Sequence, residues 1–215
     1  VLHADCVQSY GKLPVSVKQL GCGLLSVSAH KIHGPRGVGF LYIDSKLKMT
    51  PLLYGGGQEN GLRSGTENLP GIAGLAKAAG LVCGNLQENY AHAVKLNGIF
   101  RRALQEEIRS CILISSEAVC SPYILNVAFP GLRAEVLQHS VETKGVYLSV
   151  GSACSSHKKD RSRTLAAMGY APNVIDGAVR ISFSYQNTEE EAEYAARVIC
   201  QEVKKLYGRR KGGRA

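Results

Sequence analysis

Residues 26–37 of the chain read SVSAHKIHGPRG, and they follow two leucines at positions 24 and 25. The apolar run over residues 24–28 predicts a short buried strand, and Gly34 and Pro35 predict where the extended structure stops. Lys31 therefore follows the end of a buried strand, where partial burial of an amine lowers its pKa. A neutral amine is a nucleophile toward an aldehyde, although a lone lysine in such a loop is more often a surface residue.

Strands and helices alternate along the rest of the chain, and this order predicts an α/β fold. Further strands are predicted over residues 1–5, 38–43, 112–114, 124–129, 146–150 and 178–185. Within residues 69–108 the sequence predicts two helices, or one long helix broken near residues 80–84 or at Gly98. Further helices are predicted over residues 134–143 and 163–168, and from a capping box at Thr188 onward. The apolar face of this last helix is predicted to be core and comprises Ala192, Ala195, Ala196, Ile199, Val203 and Leu206. The helical region after residue 69 places a domain boundary near residue 80, which gives domains 1–80 and 81–215.

The composition is that of a globular protein with a basic surface. The chain has 215 residues, 45% of them hydrophobic, and a net charge of +9. No apolar run approaches the roughly 20 residues of a membrane-spanning helix, so we expect no membrane contact. The chain begins at Val1 inside an apparent strand, and we expect it to be a piece of a longer protein. No nucleic-acid motif accompanies the basic residues, which suit small anions or a solvated tail.

The seven cysteines are scattered, with no Cys-x-x-Cys pair. This spacing argues against a disulfide framework and against a structural metal site. We therefore expect reduced thiols in a cytoplasmic compartment. Most of the thiols are expected to be buried and inert.

Two features predict a ligand site. Asp5 and Lys31 both follow predicted strands, and ligands of α/β sheets bind at the carboxyl ends of strands. Residues 54–68 form a long loop with five glycines, and loops of this length are usually functional or disordered. Arg63, Ser64 and Thr66 in this loop suit an anion held by hydroxyls and backbone N–H groups, although a flexible connector would have the same composition.

Five segments, in order, resemble the pyridoxal-phosphate-dependent cysteine desulfurases (NifS/IscS-like) of the class V aminotransferase superfamily. They cover residues 5–12, 28–39, 55–68, 151–155 and 179–191. The resemblance implies the C-terminal part of a PLP-dependent transferase of fold type I. This part comprises the end of the large α/β domain and the small α+β C-terminal domain that carries the catalytic cysteine loop. The family's catalytic unit is about twice as long as this chain.

The resemblance also implies roles for single residues. Lys31 would anchor the pyridoxal 5'-phosphate covalently, Asp5 would contact its ring nitrogen, and Gln8 its ring hydroxyl. Ser28 and His30 would bind the phosphate, and Thr66 would reach the phosphate of the partner subunit in a homodimer. Arg180 would bind the substrate carboxylate. Cys154 would be the nucleophile, and the positive charges of Lys158, Lys159 and Arg161 would lower the pKa of its thiol.

The implied reaction converts L-cysteine to L-alanine and leaves the sulfur as a persulfide on Cys154. The sulfur would then pass to an acceptor such as an iron–sulfur scaffold protein or a carrier for tRNA thiolation, with no direct contact to nucleic acid. Two alternatives remain at this point. One is a selenocysteine lyase of the same fold, which the run GSACSS at residues 151–156 disfavours weakly. The other is a truncated, non-catalytic interaction fragment.

Overall fold

The computed structural model of the chain describes residues 1–151 and 161–212, without the side chains of residues 210–212. The chain divides into two compact units, Val1–Asn89 and Tyr90–Ala215. This division lies further along the chain than the boundary that the sequence places near residue 80. Each unit combines a sheet with helices, so the fold is α/β.

The first unit is built on a three-stranded sheet of order β1-β2-β3. Its elements are β1 (His3–Asp5), α1 (Val17–Leu20), β2 (Leu24–Ser28), β3 (Gly39–Ile43) and α2 (Leu69–Gly84). Strand β1 runs parallel to β2, whereas β3 is antiparallel to it. The strand predicted over residues 24–28 is confirmed to the residue.

A 3-10 turn, Ala29–Ile32, follows β2 and is fixed by its apolar residues. Ala29 and Ile32 are buried against Leu75, Ala78 and Val82 of α2. The polar residues of the turn, His30 and Lys31, are thereby left on its outer side. The apolar positions of the quoted stretch thus determine where its chemically active residues lie.

The second unit contains a four-stranded antiparallel sheet of order β4-β5-β7-β6. Its elements are α3 (Leu86–Glu107), which begins just before the unit boundary, β4 (Ile112–Leu113), β5 (Ile124–Ala128), α4 (Ala134–Glu142), β6 (Ser149–Val150), α5 (Arg163–Ala167), α6 (Pro172–Ile175), β7 (Ala178–Ser182) and α7 (Glu189–Gly212). Alternate residues of β5 and β7 are buried in one large core with α3, α4 and α7. The α7 face predicted to be core contributes Ala192, Ala196, Ile199 and Val203 to it.

Hydrogen bonds confirm the predicted capping box of α7. The Glu191 backbone N–H donates to Thr188 Oγ1 at 3.2 Å, and the Thr188 N–H donates to Glu191 Oε2 at 3.1 Å. Helices α2 and α3 break at Asn85, at the glycine-containing segment where a break is predicted. Among the described residues, no single helix is long and apolar enough to cross a membrane, and α2 with α3 meets that criterion only as a bent pair.

Strand β1 begins at His3 and not at Val1, and β7 ends at Ser182 and not at Tyr185. The structure corrects the sequence prediction in three further places. Strand β6 is only two residues long, because the Leu148 carbonyl accepts a hydrogen bond from the Gln138 side chain at 3.1 Å instead of pairing with a strand. Val146 and Leu148 are buried in the core nevertheless. The other two differences are the short helices α1 and α6, whose four residues each are too few to show a helical period.

Candidate active site

The parallel pairing of β1 and β2 brings several of the predicted site residues to one edge of the sheet. Asp5 is the register partner of Ser26, so Asp5 and Ser28 lie near the carboxyl ends of adjacent strands. His30 and Lys31 follow immediately in the 3-10 turn. Ligands of α/β sheets bind at this edge, and the sequence prediction that Asp5 and Lys31 lie at strand ends is confirmed by the topology.

The side chains at this edge differ in exposure. Asp5 and His30 are exposed, whereas Ser28 and Lys31 are half-buried. The Asp5 carboxylate accepts one hydrogen bond, from the Val7 N–H at 3.0 Å. No other bond to this carboxylate occurs within the described residues, so it is available to a ligand.

Lys12 is a second amine in this region, and the sequence reasoning gave it no role. Its Nζ donates to Gln8 Oε1 at 3.4 Å. Burial, and secondarily the positive charge of Lys31, lower the pKa of Lys12. The neighbouring Gly11 is the sequence feature that could have drawn attention to Lys12. Gly11 is buried and has a φ of 72°, and a Cβ at this position would lie 2.6 Å from Val82. The tight turn at Gly11 brings the Lys12 stem into the protein.

The glycine-rich loop closes on itself. The Gly65 N–H donates to Gln58 Oε1 at 3.0 Å, and the Arg63 guanidinium donates to the Ser64 carbonyl at 3.0 Å. Of the groups suggested for anion binding, the Gly65 N–H and one nitrogen of Arg63 are therefore engaged within the loop. Thr66 is exposed and makes no hydrogen bond within the described residues.

Arg180 lies in the second unit, on β7. It is half-buried, and its register partners are Asn126 on β5 and Ser149 on β6. A strand arginine of this kind commonly pairs with an internal carboxylate, yet Arg180 makes no ion pair within the described residues. No carboxylate of the described residues occupies its planar fork, which is the geometry that binds an external carboxylate.

Cys154 lies outside the described residues, as do Lys158 and Lys159. Arg161 is described, and it forms a two-point ion pair with Asp176, with N–O distances of 2.6 and 2.8 Å. Because Cys154 lies outside the described residues, the expected effect of Arg161 on its thiol stays a prediction.

The other six cysteines are free thiols. Three of them, Cys6, Cys22 and Cys200, are buried, whereas Cys83 and Cys120 are exposed. Burial raises the pKa of Cys111, and it raises the pKa of Cys200 to about 11. Because the thiolate is the nucleophile, these two are not activated cysteines.

Comparison with known proteins identifies the class to which this fold and edge belong. The family model of the class-V aminotransferases matches residues 1–194. The chain therefore belongs to the aminotransferase class-V family, whose members depend on pyridoxal phosphate.

Within that family, the chain is similar to proteins named cysteine desulfurase. One from Sinorhizobium fredii is 39% identical over 206 residues, which is 96% of this chain and 53% of that protein. A protein from Dictyoglomus turgidum, named cysteine desulfurase IscS, is 36% identical over 95% of this chain and 52% of its own length.

Solved structures agree with these relatives. A NifS-like protein superposes with a TM-score of 0.85 at 37% identity, covering 95% of this chain and 52% of the other. A NifS-like protein from Rickettsia africae gives a TM-score of 0.82 at 30% identity, covering 94% of this chain and 53% of the other. The fold is thus that of a PLP-dependent transferase of fold type I, and the chain spans about half the length of the relatives it matches.

The residues at the β1–β2 edge fit pyridoxal phosphate. The cofactor presents an aldehyde, a ring nitrogen, a ring hydroxyl and a phosphate. The edge presents the Lys31 amine, an available Asp5 carboxylate, the Gln8 amide, and the Ser28 hydroxyl beside the His30 imidazole. Each group of the cofactor therefore has a chemically suitable partner in the first unit, and the individual roles remain predictions.

Proposed function

We propose that this chain is part of a pyridoxal-phosphate-dependent cysteine desulfurase, which converts L-cysteine to L-alanine and keeps the sulfur as a persulfide on Cys154. The observation that carries the proposal is the parallel register of β1 and β2, which puts Asp5 and Lys31 at one edge of the sheet. The names of the relatives support a desulfurase, and they favour neither the selenocysteine lyase nor the non-catalytic fragment.

The chain's own residues would hold the cofactor in the first unit. Lys31 provides the amine that anchors it, and the Asp5 carboxylate accepts a hydrogen bond from the protonated ring nitrogen. Gln8 contacts the ring hydroxyl, and Ser28 and His30 donate to the phosphate. When bound, the cofactor supplies an electron sink for the substrate Cα.

The remaining steps use protein groups. Arg180 binds the substrate carboxylate through its fork, and Lys31 moves the proton at Cα. The thiolate of Cys154 attacks the substrate sulfur, so that an S–S bond forms while the Cβ–S bond of the substrate breaks. Cβ takes up a proton, and Lys31 returns the proton to Cα. The products are L-alanine and the Cys154 persulfide, with no external oxidant or reductant.

The same proposal covers partners and location. The exposure of Thr66 in the glycine-rich loop supports its role at the phosphate of a second subunit, and hence a homodimer. Sulfur acceptors such as an iron–sulfur scaffold protein would take the sulfur from Cys154. The absence of a Cys-x-x-Cys pair and of a disulfide-like cysteine pattern supports a cytoplasmic location.

Two pairs of variants test the function in the purified protein. Lys31→Ala is expected to abolish the visible absorption of bound cofactor, whereas Lys77→Ala, at an exposed lysine on α2, should keep it. Cys154→Ala is expected to abolish sulfur release from L-cysteine but keep the colour. Cys83→Ala, at an exposed cysteine, should keep both.

Three results would count against the proposal. Absence of a coloured complex at any cofactor concentration would favour a non-catalytic fragment. Sulfur release that survives Cys154→Ala would show that the nucleophile is another residue. Turnover of selenocysteine that persists in Cys154→Ala, while turnover of cysteine is lost, would indicate the lyase.

A further inference from the structure

Within the described part of the second unit, a buried side-chain oxygen lacks a donor, and an arginine on the adjacent strand makes no ion pair. Asn126 Oδ1 is buried and has no hydrogen-bond partner among the described residues. On the adjacent strand, Arg180 is the direct register partner of Asn126. Residues directly opposite in an antiparallel pair project from the same face, with Cβ atoms about 5 Å apart. The two unsatisfied groups are therefore neighbours.

The flanking residues show that Asn126 and Arg180 lie on the face of the sheet that does not contact the large core. Leu125 and Val127 on β5, and Val179 and Ile181 on β7, belong to that core. Asn126 and Arg180 alternate with them and so project from the other face of the sheet. Asn126 and Arg180 are therefore not part of the main core.

A buried acceptor without a donor costs free energy, and native proteins rarely retain one. The Asn126 backbone is already engaged: its N–H donates to Ser115 Oγ at 2.9 Å, and its carbonyl accepts from Ile114 N–H at 2.9 Å. These bonds fix the strand position of Asn126 without using the side-chain oxygen. The side-chain oxygen therefore remains available to a neighbouring donor.

We propose that Asn126 is a positioning residue for Arg180: its Oδ1 accepts one guanidinium N–H when the other N–H groups bind the substrate carboxylate. A guanidinium has five N–H donors, so a two-point carboxylate contact leaves donors for Asn126. The amide oxygen limits rotation of the fork and favours one orientation of the amino acid. This inference rests on the proposed role of Arg180 in the desulfurase.

Asn97 offers a matched control, because it is a buried asparagine of the same unit whose side chain is satisfied. Its Nδ2 donates to the Pro122 carbonyl at 2.8 Å, and its Oδ1 accepts from Arg101 Nε at 2.6 Å. A change at Asn97 thus perturbs a buried amide without touching Arg180.

The test titrates L-alanine, the expected product, into the protein and follows the Nε–Hε NMR signal of Arg180, assigned through Arg180→Lys. Ethylamine, which lacks the carboxylate, is the ligand control. Asn126→Leu removes the acceptor and should weaken L-alanine binding about 2- to 10-fold, the range expected for one hydrogen bond. Asn126→Asp should weaken it at least about tenfold, because the new carboxylate pairs with Arg180 and competes. Asn97→Asp should leave it within about twofold.

The kinetic readout is the KM for L-cysteine, which should rise in the two Asn126 variants while kcat changes little. An unchanged L-alanine affinity in both Asn126 variants overturns the inference, as does a wild-type Arg180 signal that does not respond to L-alanine. If the Arg180 signal responds to L-alanine and the Asn126 variants weaken L-alanine binding as expected, but L-cysteine is not turned over, the proposed function fails and the positioning role stands.

Discussion

The two units of the chain differ in how much apolar surface they bury within this sequence. Among the described residues, the main core of the second unit contains 22 buried side chains, whereas the first unit has two clusters, of five and four. The first unit also exposes large apolar side chains, including Leu52 at 94% and Tyr54 at 75% exposure. The second unit therefore has the larger buried core among the described residues, and the first unit leaves several large apolar side chains exposed.

This difference bears on function. The candidate cofactor groups lie in the first unit, the less completely packed one, and Arg180 lies in the second. Residues that bind ligands are often held less firmly than the core, because they must accept a partner. The following substitutions test whether the two units differ in stability as their cores imply.

The largest effect is expected from a matched pair of leucines. Leu137→Ala, at a fully buried position on α4, should lower the free energy of unfolding by about 2–5 kcal/mol. Leu52→Ala, at a position 94% exposed in the first unit, should change it by less than about 0.5 kcal/mol. Urea unfolding followed by circular dichroism measures both. A large cost in Leu52→Ala that grows with protein concentration would mean that a second copy covers Leu52, and the contrast between the units would then be wrong.

A smaller effect is expected at Glu202, a carboxylate in the second unit that is only 3% exposed. Hydrogen bonds from Lys144 and from Ser140 lower its pKa to about 2. Since the folded-state pKa lies below the unfolded value of about 4.3, Glu202 stabilises the fold above that value. This contribution, at most about 3 kcal/mol, is lost as the pH falls from there to about 2.

Glu202→Gln should therefore destabilise the protein at neutral pH and flatten its acid dependence. Unfolding midpoints measured between pH 2 and pH 7 provide the readout. Glu193→Gln, at an exposed position on the same helix, is the control. Equal acid profiles for the wild type and Glu202→Gln would show that this carboxylate does not stabilise the second unit.

The smallest effect is expected in the first unit, at Lys12, where stability again rises with pH, but at higher pH than for Glu202. Its folded-state pKa is lowered, first by burial and then by Lys31, so the unfolded chain binds this proton more tightly. Stability should rise with pH between the lowered pKa and the unfolded value of about 10.4. Lys12→Met should remove that rise and stabilise the unit at neutral pH by less than about 1 kcal/mol.

Burial raises the pKa of Tyr10, so Tyr10 also contributes to the pH dependence of stability. Comparing the thermal unfolding of Lys12→Met with that of the wild type at each pH isolates the contribution of Lys12. Lys77→Met, at an exposed lysine of the same unit, should show neither the gain nor the altered profile. The same gain in both variants would indicate a general effect of removing positive charge.

The sequence by itself determined the local elements and much of the candidate site. The apolar run at residues 24–28 gave β2, and the glycines near residue 84 located the helix break. The Thr188 capping box located the start of α7. These signals succeed because a strand end, a cap or a glycine turn depends on residues only a few positions apart.

The tertiary structure alone decided which distant residues meet. It paired Asn126 with Arg180, engaged Arg161 with Asp176, and left Lys12 half-buried near Lys31. Sheet register and packing set these contacts, and both depend on segments far apart in the chain. For that reason the motifs could identify Arg180 and Lys31 as candidates, whereas their neighbours Asn126 and Lys12 became visible only in the folded protein.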